Sequence, residues 1–421
     1  MIRRFDHMWK ILPSRIRQNV IRRSIDVTSE TGKYLIKVAS TQEELEGAYR
    51  LLYLAYRRLG ITPADPSGMR CNIFQALPYT TTIIAKDQDK IIATIAVIKD
   101  SSVGFPSDQH YRIENDHFRS QGYRLSEISA LAVDRGYRRN HAISLSLMKY
   151  VFLYATRYMN CSMLCATIHP RAFDFYSGLF NFRRNGKEIQ YPFANNAPAI
   201  HISHDTSTAA GFTAAISAHV PKNINIHRFI FEENTPGFCF PERVGATNNY
   251  LLDPVMTPEL LKILFVEKTN VFKDASPEEK SLIRSAWDPH IDLSGVPYLC
   301  DSPPARSFRY PVDGPAALLF KDRVIFGSMY DISEGGLFVS TPETVALKSE
   351  CEIIFNFANH SFRMPAVVRW QQPGVHRHPS GYGVQFSGNF GISSLKQTLK
   401  SLYKIAETGE PREMVPHPKA A

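Results

Sequence analysis

The hydrophobic pattern of this chain changes its type at Ser302-Pro303-Pro304, and this change most limits the folds that the chain can adopt. Before it, short strand-like runs alternate with longer stretches that have helical spacing. After it, short runs with period-two alternation and Gly-rich turns follow one another over about 90 residues, which is typical of a small β-barrel. A chain of 421 residues is long enough for two hydrophobic cores. We therefore predict two domains that meet near residue 300.

The first block predicts a strand, a helix, three mostly antiparallel strands, a helix, a strand, a helix and a strand. This order indicates an α+β fold and not the strict βαβ alternation of a doubly wound sheet. The first helix is expected to follow the N-cap Thr41, with Glu44 closing a capping box, and to stop at Gly60. Strands are predicted at residues 34–39, 79–85, 90–99, 124–133, 163–168 and 199–203, and helices at 41–59, 140–158 and 172–179.

Two further helices, at residues 254–265 and 276–287, are predicted as a helical extension of the first domain over about 205–300. The second domain is predicted to contain strands at 316–320, 324–332, 336–340, 352–357, 363–370 and 381–386, and a closing helix at 392–405. The chain is thus divided into a basic N-terminal segment at 1–30, a first domain at 31–300, a barrel at 301–405 and a disordered tail at 406–421.

Composition narrows the class of protein. The chain has six scattered cysteines and no CxxC pair, which argues against a disulfide framework or a zinc site and favours a reducing compartment. We see neither an apolar run long enough for a membrane span nor a signal peptide, so we predict a cytoplasmic protein. His201 and His204, with Asp205, resemble metal ligands, but strand positions 201 and 204 point to opposite faces. No metal site is predicted.

The N-terminal segment is strongly basic within a chain of net charge +9. Apolar residues are interleaved with its basic ones, and Pro13 interrupts any helix there. Two interpretations stay open: peripheral contact with the anionic inner face of a membrane, or a basic, partly ordered tail. Within residues 1–25, the basic residues, opposed by Asp6 alone, are Arg3, Arg4, Lys10, Arg15, Arg17, Arg22 and Arg23.

Two segments of the first domain carry candidate catalytic residues. Glu127 lies inside an apolar predicted strand, where burial would raise its pKa towards that of a useful base. The alternative is a carboxylate at a strand end that pairs with an arginine. Tyr176 lies on a short predicted helix after a strand and a turn, where its hydroxyl could give up a proton. The alternative is an amphipathic tyrosine in the core.

These segments, SEISALAV, RGYRRN and HPRAFDFYSGLFNF, resemble the GNAT superfamily, and in particular its N-acyl amino acid synthase branch, which is related to acyl-homoserine lactone synthases. The resemblance covers roughly residues 34–290. It implies transfer of a long acyl chain from the phosphopantetheine thioester of acyl carrier protein to the α-amine of an amino acid, without a tightly bound cofactor. Glu127 would lie near the amine and Tyr176 would protonate the leaving group. The backbone of Leu131, Ala132 and Val133 would line the pantetheine channel.

The sequence departs from that superfamily at the turn before the central helix. GNAT enzymes that use acetyl-CoA have a Gly-rich loop there, whose amides bind the pyrophosphate. This chain has Arg138 and Arg139 and no glycine, which favours acyl carrier protein over CoA as the donor. The two arginines would meet the phosphopantetheine phosphate or the acidic carrier protein. The alternative is a solvated basic turn.

Other products stay open at this point. Autoinducer synthases have a glutamate, a short spacer and an arginine in this strand, and Ala130 stands where that arginine would be. Formation of a lactone from S-adenosylmethionine is therefore the weaker interpretation. The alternatives are an acyl-ornithine or an acyl-homoserine-lactone-like product, and a non-catalytic scaffold that carries a sensor.

The second domain resembles PilZ domains. Asp331, Ser333 and Gly336 fit the [D/N]xSxxG motif of that family, and Arg309 fits the second arginine of its RxxxR element. Ala305 replaces the first arginine, and Arg306 is the candidate substitute. The resemblance implies binding of cyclic di-GMP, and the alternative is a barrel that contacts only proteins. The predicted partners are acyl carrier protein, an amino acid and cyclic di-GMP, and not DNA or RNA.

Overall fold

We analysed the chain as a computed structural model. It describes residues 12–27, 32–138, 141–241, 251–252, 255–289, 291–300, 308–358, 360–373, 379–387, 391–407 and 414–416.

The first domain is built on a seven-stranded mixed sheet. Its order is β1-β2-β3-β4-β5-β7-β6, and only the β4–β5 pair is parallel. The strands are β1 (Leu35–Val38), β2 (Thr80–Asp87), β3 (Lys90–Lys99), β4 (Leu125–Val133), β5 (Met163–Ile168), β6 (Arg183–Tyr191) and β7 (Ala197–Asp205). The predicted α+β class is confirmed. The sequence missed β6, which is a polar and largely exposed edge strand.

Six helices surround this sheet in the described residues before position 220: α1 (Ser14–Ser24), α2 (Gln42–Arg58), α3 (Asp108–Ser120), α4 (His141–Arg157), α5 (Phe173–Phe180) and α6 (Ala209–Ser217). Thr41 caps α2 by accepting the Glu44 N–H at 3.3 Å. The predicted capping box is wrong in its second half, because the Glu44 carboxylate accepts the Ser40 N–H and binds Lys37. In this position the carboxylate accepts one backbone N–H and also a charge-assisted hydrogen bond from Lys37.

The sheet has an apolar core on each face. On one face, α4 packs against alternate residues of β3, β4, β5 and β7. On the other, Tyr49 of α2 and Phe74 pack with Phe265, Phe272 and Trp287. These last three belong to the region of α7 (Pro258–Lys262), α8 (Val271–Asp274) and α9 (Pro277–Ser285), which therefore shares a core with the first sheet. The helix predicted at 254–265 begins later and continues as a π-helical turn over Ile263–Glu267.

The second domain is a closed antiparallel barrel, as predicted. Six strands close into a ring because β10 pairs with both β11 and β13, and β9 adds to β11. Its elements are β9 (Tyr310–Pro311), β10 (Pro315–Leu319), β11 (Val324–Ser333), β12 (Gly336–Ser340), β13 (Glu350–Phe357), β14 (His360–Pro373), β15 (Ser380–Phe386) and α10 (Ile392–Glu407). The barrel encloses its own apolar core.

Three residues of the tail predicted to be disordered form a strand, and the disorder of the rest stays a prediction. β16 (Met414–Pro416) pairs antiparallel with β8 (Cys239–Pro241) of the first domain. A short edge strand offers unpaired backbone groups, and a short extended segment can satisfy them. The boundary predicted between residues 300 and 301 stays a prediction.

Helix α1 lies on α5 and is held there by polar contacts. Arg17 forms an ion pair with Asp174 at 2.6 Å, and Arg22 donates to the Gly178 carbonyl at 2.8 Å. The outward side of α1 leaves Ile16 exposed. Among the described residues, each helix is too short or too polar to cross a bilayer.

Candidate functional site

Glu127 lies in β4 with its carboxyl group enclosed by protein, and the residue is 2% exposed. Ser107 donates two hydrogen bonds to one carboxylate oxygen, from Oγ at 2.5 Å and from the backbone N–H at 3.2 Å. Burial raises the pKa of Glu127 to about 8, although both hydrogen bonds act in the opposite direction. The group can therefore exchange a proton near neutral pH, as a general base must. Its catalytic role stays a prediction.

Helix α3, which the sequence did not predict, fixes Ser107 through a buried polar network. Asn115 Nδ2 donates to Ser107 Oγ at 3.0 Å and to Asp108 at 2.8 Å. Arg119 is 1% exposed and donates to Asp108 at 3.1 Å and to Asp100 at 2.6 Å. Burial alone would raise the pKa of Asp108, but Arg119 and the hydrogen bonds hold it below its usual range. The network joins Asp100, at the end of β3, to the residue that contacts Glu127.

Several buried polar atoms near Glu127 have no hydrogen-bond partner in the described part of the chain. They are Asn115 Oδ1, Thr167 Oγ1 and both ring nitrogens of His201. Glu127 pairs with Cys165, and Thr167 pairs with His201, so these side chains share one face of the sheet. Burial lowers the pKa of His201 to about 4, so its ring is neutral. Unpaired buried groups are costly, and their clustering indicates a place for a polar ligand.

A row of tyrosines leads from Glu127 towards Tyr176. Burial raises the pKa of Tyr191, and so do the neighbouring Glu127 and Tyr111. Tyr191 also interacts electrostatically with Tyr56, which is a neighbour of Tyr176. Burial raises the pKa of Tyr176 to about 12, so its phenol keeps a proton that it can donate. Tyr176 packs with the cluster on the other face of the sheet, and no hydrogen bond among the described residues joins it to Glu127.

The sheet opens between these two residues. Pairing of β4 with β5 ends at Ile128 and Ala166, whereas β4 continues to residue 133. Ala130 has a positive φ of 54° at a bulge opposite β3, which bends the strand at this point. The backbone at 131–133 therefore lacks a strand partner on the β5 side. The predicted contact of this backbone with the pantetheine arm stays a prediction.

The arginines of the predicted donor site lie just after β4. Arg138 is exposed, and its Nε donates to the Val133 carbonyl at 3.2 Å. Arg139 lies outside the described residues. The guanidinium of Arg138 thus lies at the end of the strand opening, and its contact with the acyl donor stays a prediction.

A small apolar pocket lies on the other face, beside the opening. Its volume is about 20 Å³, and Ile128, Leu164 and Ala209 are among its lining residues. His204 contributes to this pocket, whereas His201 faces the Glu127 side. The two histidines therefore cannot bind one metal ion together.

The barrel brings together four of its five predicted nucleotide-binding residues. Arg309 donates to the Asp331 carboxylate at 2.5 Å, to Ser333 Oγ at 3.1 Å and to the Gly336 carbonyl at 3.3 Å. A Cβ on Gly336 would lie 2.3 Å from the Val384 carbonyl oxygen, so the strand packing requires glycine there. Arg306 lies outside the described residues.

The sequence matches two family models. Residues 47–205 match the N-acyl amino acid synthase FeeM, and residues 304–403 match the PilZ domain. A comparison with the sequences of curated proteins finds no match.

Three solved structures are each similar to one of the two domains. FeeM, an N-acyl amino acid synthase from uncultured soil microbes, is 26% identical, covers 42% of this chain and 93% of its own, and gives a TM-score of 0.38. The CoA-dependent acyl-homoserine lactone synthase BjaI is 15% identical, with coverages of 47% and 98% and a TM-score of 0.35. The PilZ domain of CeSA from a cellulose-synthesizing bacterium is 20% identical, with coverages of 23% and 99% and a TM-score of 0.19.

The match over residues 47–205 confirms the predicted resemblance and sets aside the non-catalytic scaffold. The chain contains a domain that matches the N-acyl amino acid synthase FeeM over residues 47–205 and a PilZ domain over residues 304–403, and it is an N-acyltransferase.

Proposed function

We propose that this enzyme transfers a long-chain acyl group from the phosphopantetheine thioester of acyl carrier protein to the α-amine of an amino acid. The observation that carries the proposal is the buried Glu127, with a pKa of about 8, beside the unpartnered polar atoms of Asn115 and His201. A polar acceptor bound there would satisfy these atoms and place its amine beside the carboxylate.

In the proposed reaction the amine nitrogen forms a bond to the thioester carbon while the carbon–sulfur bond breaks. The nitrogen loses two protons. Glu127 takes one and later releases it to solvent, and the second restores the phenol of Tyr176 after that phenol has protonated the leaving sulfur. The raised pKa of Tyr176 keeps the phenol protonated, so its O–H is available to donate to the sulfur as negative charge develops there.

Arg70 is our candidate for attracting the carboxylate of the acceptor. It is half-buried, donates to Thr62 Oγ1 at 2.6 Å, and lies over the ring of Tyr56 at 5.0 Å. It also interacts electrostatically with Tyr191, which in turn interacts with Glu127. A cation in this row of tyrosines favours an amino acid over a simple amine. We expect Arg70→Gln to raise the KM for the acceptor more than it lowers kcat, as steady-state kinetics would measure.

The acyl chain is proposed to enter the apolar pocket between β4, α4 and α6. Its closed volume of about 20 Å³ is too small for a long chain, so the side chains must repack when the chain enters. The donor arm would pass through the opening between β4 and β5, with Arg138 facing its phosphate. Ornithine is an amino acid with a second amine, so an acyl-ornithine product is compatible with this proposal.

The proposal is tested by expressing the full chain in a bacterium and analysing the lipid extract by mass spectrometry. We expect a new acylated amino acid that is absent with Glu127→Gln and present with the control Glu43→Gln, an exposed glutamate in the first turn of α2. Its mass identifies the acceptor and the chain length. Equal product from Glu127→Gln would remove this residue from the mechanism.

The donor is tested with the purified enzyme. We expect acyl carrier protein loaded with a long acyl chain to support product formation at a higher kcat/KM than the matching acyl-CoA. Arg138→Gln should reduce the rate with the carrier protein. A preference for acyl-CoA would overturn this part of the proposal.

We place the enzyme in the cytoplasm, where its proposed donor is found, with peripheral contact to the inner face of the membrane through α1. Ile16 and Val20 are exposed one turn apart on α1, and Arg15 and Arg23 are exposed beside them. An apolar stripe flanked by arginines suits an anionic lipid surface. We expect Ile16→Asp to reduce sedimentation with anionic vesicles, and an unchanged bound fraction would contradict the membrane role.

The PilZ domain is proposed to bind cyclic di-GMP and to regulate the transferase. The cluster of Arg309, Asp331 and Ser333 supports this proposal, since arginine can stack on guanine and pair with phosphate. Calorimetric titration of the full chain with cyclic di-GMP tests it. We expect binding that Arg309→Ala removes and Arg323→Ala, an exposed arginine elsewhere on the barrel, retains.

A further inference from the structure

A cavity of about 300 Å³ lies between the two domains and is lined by both. Its volume is at the lower end of the range for ligand pockets. The barrel contributes Arg309 and Asp331, which belong to the proposed nucleotide site, and the first domain contributes Lys99, Ser102 and Arg124. The nucleotide motif therefore opens onto the surface of the transferase and not onto free solvent alone.

The barrel side of the cavity includes an aromatic surface. Trp370 is 40% exposed and stacks on Phe338 with a centroid distance of 5.1 Å. Its indole lies over Gly383, where a Cβ would come within 2.0 Å of Trp370 Nε1. Glycine at position 383 thus leaves the space that the indole occupies. A planar base can stack on such a ring next to an arginine.

The first domain supplies cations to the same cavity. Arg124 joins the domains by donating to the barrel carbonyls of Met329 at 2.6 Å and Val312 at 3.2 Å, and by an ion pair with Asp313 at 2.8 Å. Its guanidinium is therefore held by the barrel backbone. Arg124 and Lys99 both line the cavity.

Lys99 has capacity for a further ligand. It is 5% exposed, and its one hydrogen bond within the described residues goes to the Met159 carbonyl at 2.8 Å. An ammonium group has three N–H donors, and leaving donors unpaired in a buried position is costly. Burial, followed by the neighbouring Arg124, lowers the pKa of Lys99 to about 7, while Asp100 and Asp313 act in the opposite direction. Those two carboxylates already pair with Arg119 and Arg124. The remaining N–H donors of Lys99 would therefore be available to an incoming anion.

We propose that Lys99 of the transferase domain completes the nucleotide site of the PilZ domain by binding a phosphate of cyclic di-GMP in the interdomain cavity. Arg309 and Trp370 would hold the guanine from the barrel side. The inference rests on the proposed binding of cyclic di-GMP by the barrel. It adds that the transferase domain forms part of the nucleotide site. Binding of the nucleotide would therefore depend on how the two domains are positioned relative to each other.

The test is calorimetric titration of cyclic di-GMP into the full chain and its variants. We expect Lys99→Met to weaken binding about tenfold or more, as loss of a charged hydrogen bond would. The matched control Lys222→Met removes an exposed lysine away from the cavity and should bind as the wild type does. Ser102→Glu, which adds a negative charge to the half-buried cavity wall, should also weaken binding. Thermal unfolding of each variant shows whether it is folded.

The outcomes separate the two proposals. Wild-type protein that does not bind cyclic di-GMP would overturn the proposed function of the barrel and this inference with it. Wild-type binding that Arg309→Ala removes, but that Lys99→Met and Ser102→Glu leave unchanged, would overturn this inference alone. If Lys99→Met does not fold, the affinity of Ser102→Glu decides.

Discussion

At the scale of single residues, the protonation of Glu127 sets the pH range of the reaction. A base must be ionised, and with a pKa of about 8 only a minor fraction of Glu127 is ionised at pH 7. We therefore expect kcat/KM to rise with pH and to level off above about pH 8. The rise has this sign because burial disfavours the charged form that catalysis needs.

A variant can distinguish the titration of Glu127 from that of the substrate amine, which also titrates. Ser107→Ala removes the 2.5 Å hydrogen bond that stabilises the charged carboxylate. The apparent pKa of the kcat/KM profile should move upward by up to about one unit, while the pKa of the amine stays the same. Ser120→Ala, at the end of α3, serves as the control. Coincident profiles for Ser107→Ala and the wild type would assign the rise to the substrate.

At the scale of elements, α3 shows what sequence patterns can and cannot predict. The buried positions of α3 include Tyr111, Asn115 and Arg119, which have helical spacing but are polar. A search for apolar periodicity does not detect such a helix, because the side chains on its buried face are polar and form hydrogen bonds and ion pairs. Glu127 and Tyr176 could be selected as candidates from the sequence because each lies in a conspicuously apolar segment, and their catalytic roles stay predictions. The network that holds Glu127 depends on contacts between α3 and β4 that no local pattern encodes.

The same helix gives a prediction for stability. Arg119→Met would leave the buried carboxylates of Asp100 and Asp108 without their cation, so we expect a loss of about 3–5 kcal/mol in the free energy of unfolding. Arg112→Met, an exposed arginine on the same helix, should change it by less than about 1 kcal/mol. Urea unfolding near pH 7 measures both. Because the folded-state pKa of Asp108 is lowered, wild-type stabilisation should be lost as the pH falls through that pKa. Similar losses for both variants would contradict the role given to this ion pair.

Helix α6 gives a prediction for the acyl chain. Ala209 is buried at the start of α6 and lines the apolar pocket. A larger side chain there would fill space that the end of the chain needs, so Ala209→Leu should shift the product towards shorter acyl chains. Mass spectrometry of the lipid extract measures the distribution, with Ala210→Leu, an exposed neighbour, as the control. An unchanged distribution would place the acyl chain elsewhere.

At the scale of the whole molecule, the two domains were predictable and their contacts were not. The change of pattern near residue 300 reflects two separate cores, which the sequence records in its periodicity. The contacts of Arg124 with Met329 and Val312 involve backbone carbonyls, so no residue type marks them in the sequence. These bonds, together with those of Tyr79 to the Arg309 carbonyl and of Tyr310 to Asp288, join the two domains around the interdomain cavity.

The buried network offers a physical connection from that cavity to the reaction. Asp100 lines the cavity and pairs with Arg119, and from there Asp108, Asn115 and Ser107 lead to Glu127. Cyclic di-GMP bound beside Asp100 would change the field on Arg119 and, through these hydrogen bonds, the donation from Ser107. We therefore expect saturating nucleotide to change the apparent pKa of the kcat/KM profile.

Asn115→Leu tests this connection, because it interrupts the network at a distance from the cavity while keeping the size of the side chain similar. It should keep the affinity for cyclic di-GMP within about twofold and lose the nucleotide-dependent change in the profile. A demonstrated coupling requires both results, since a variant that also lost affinity would report only damage to the site. A nucleotide effect of the same size in Asn115→Leu and in the wild type would mean that the domains communicate by another route, such as movement of the barrel as a rigid body against β3 and β4.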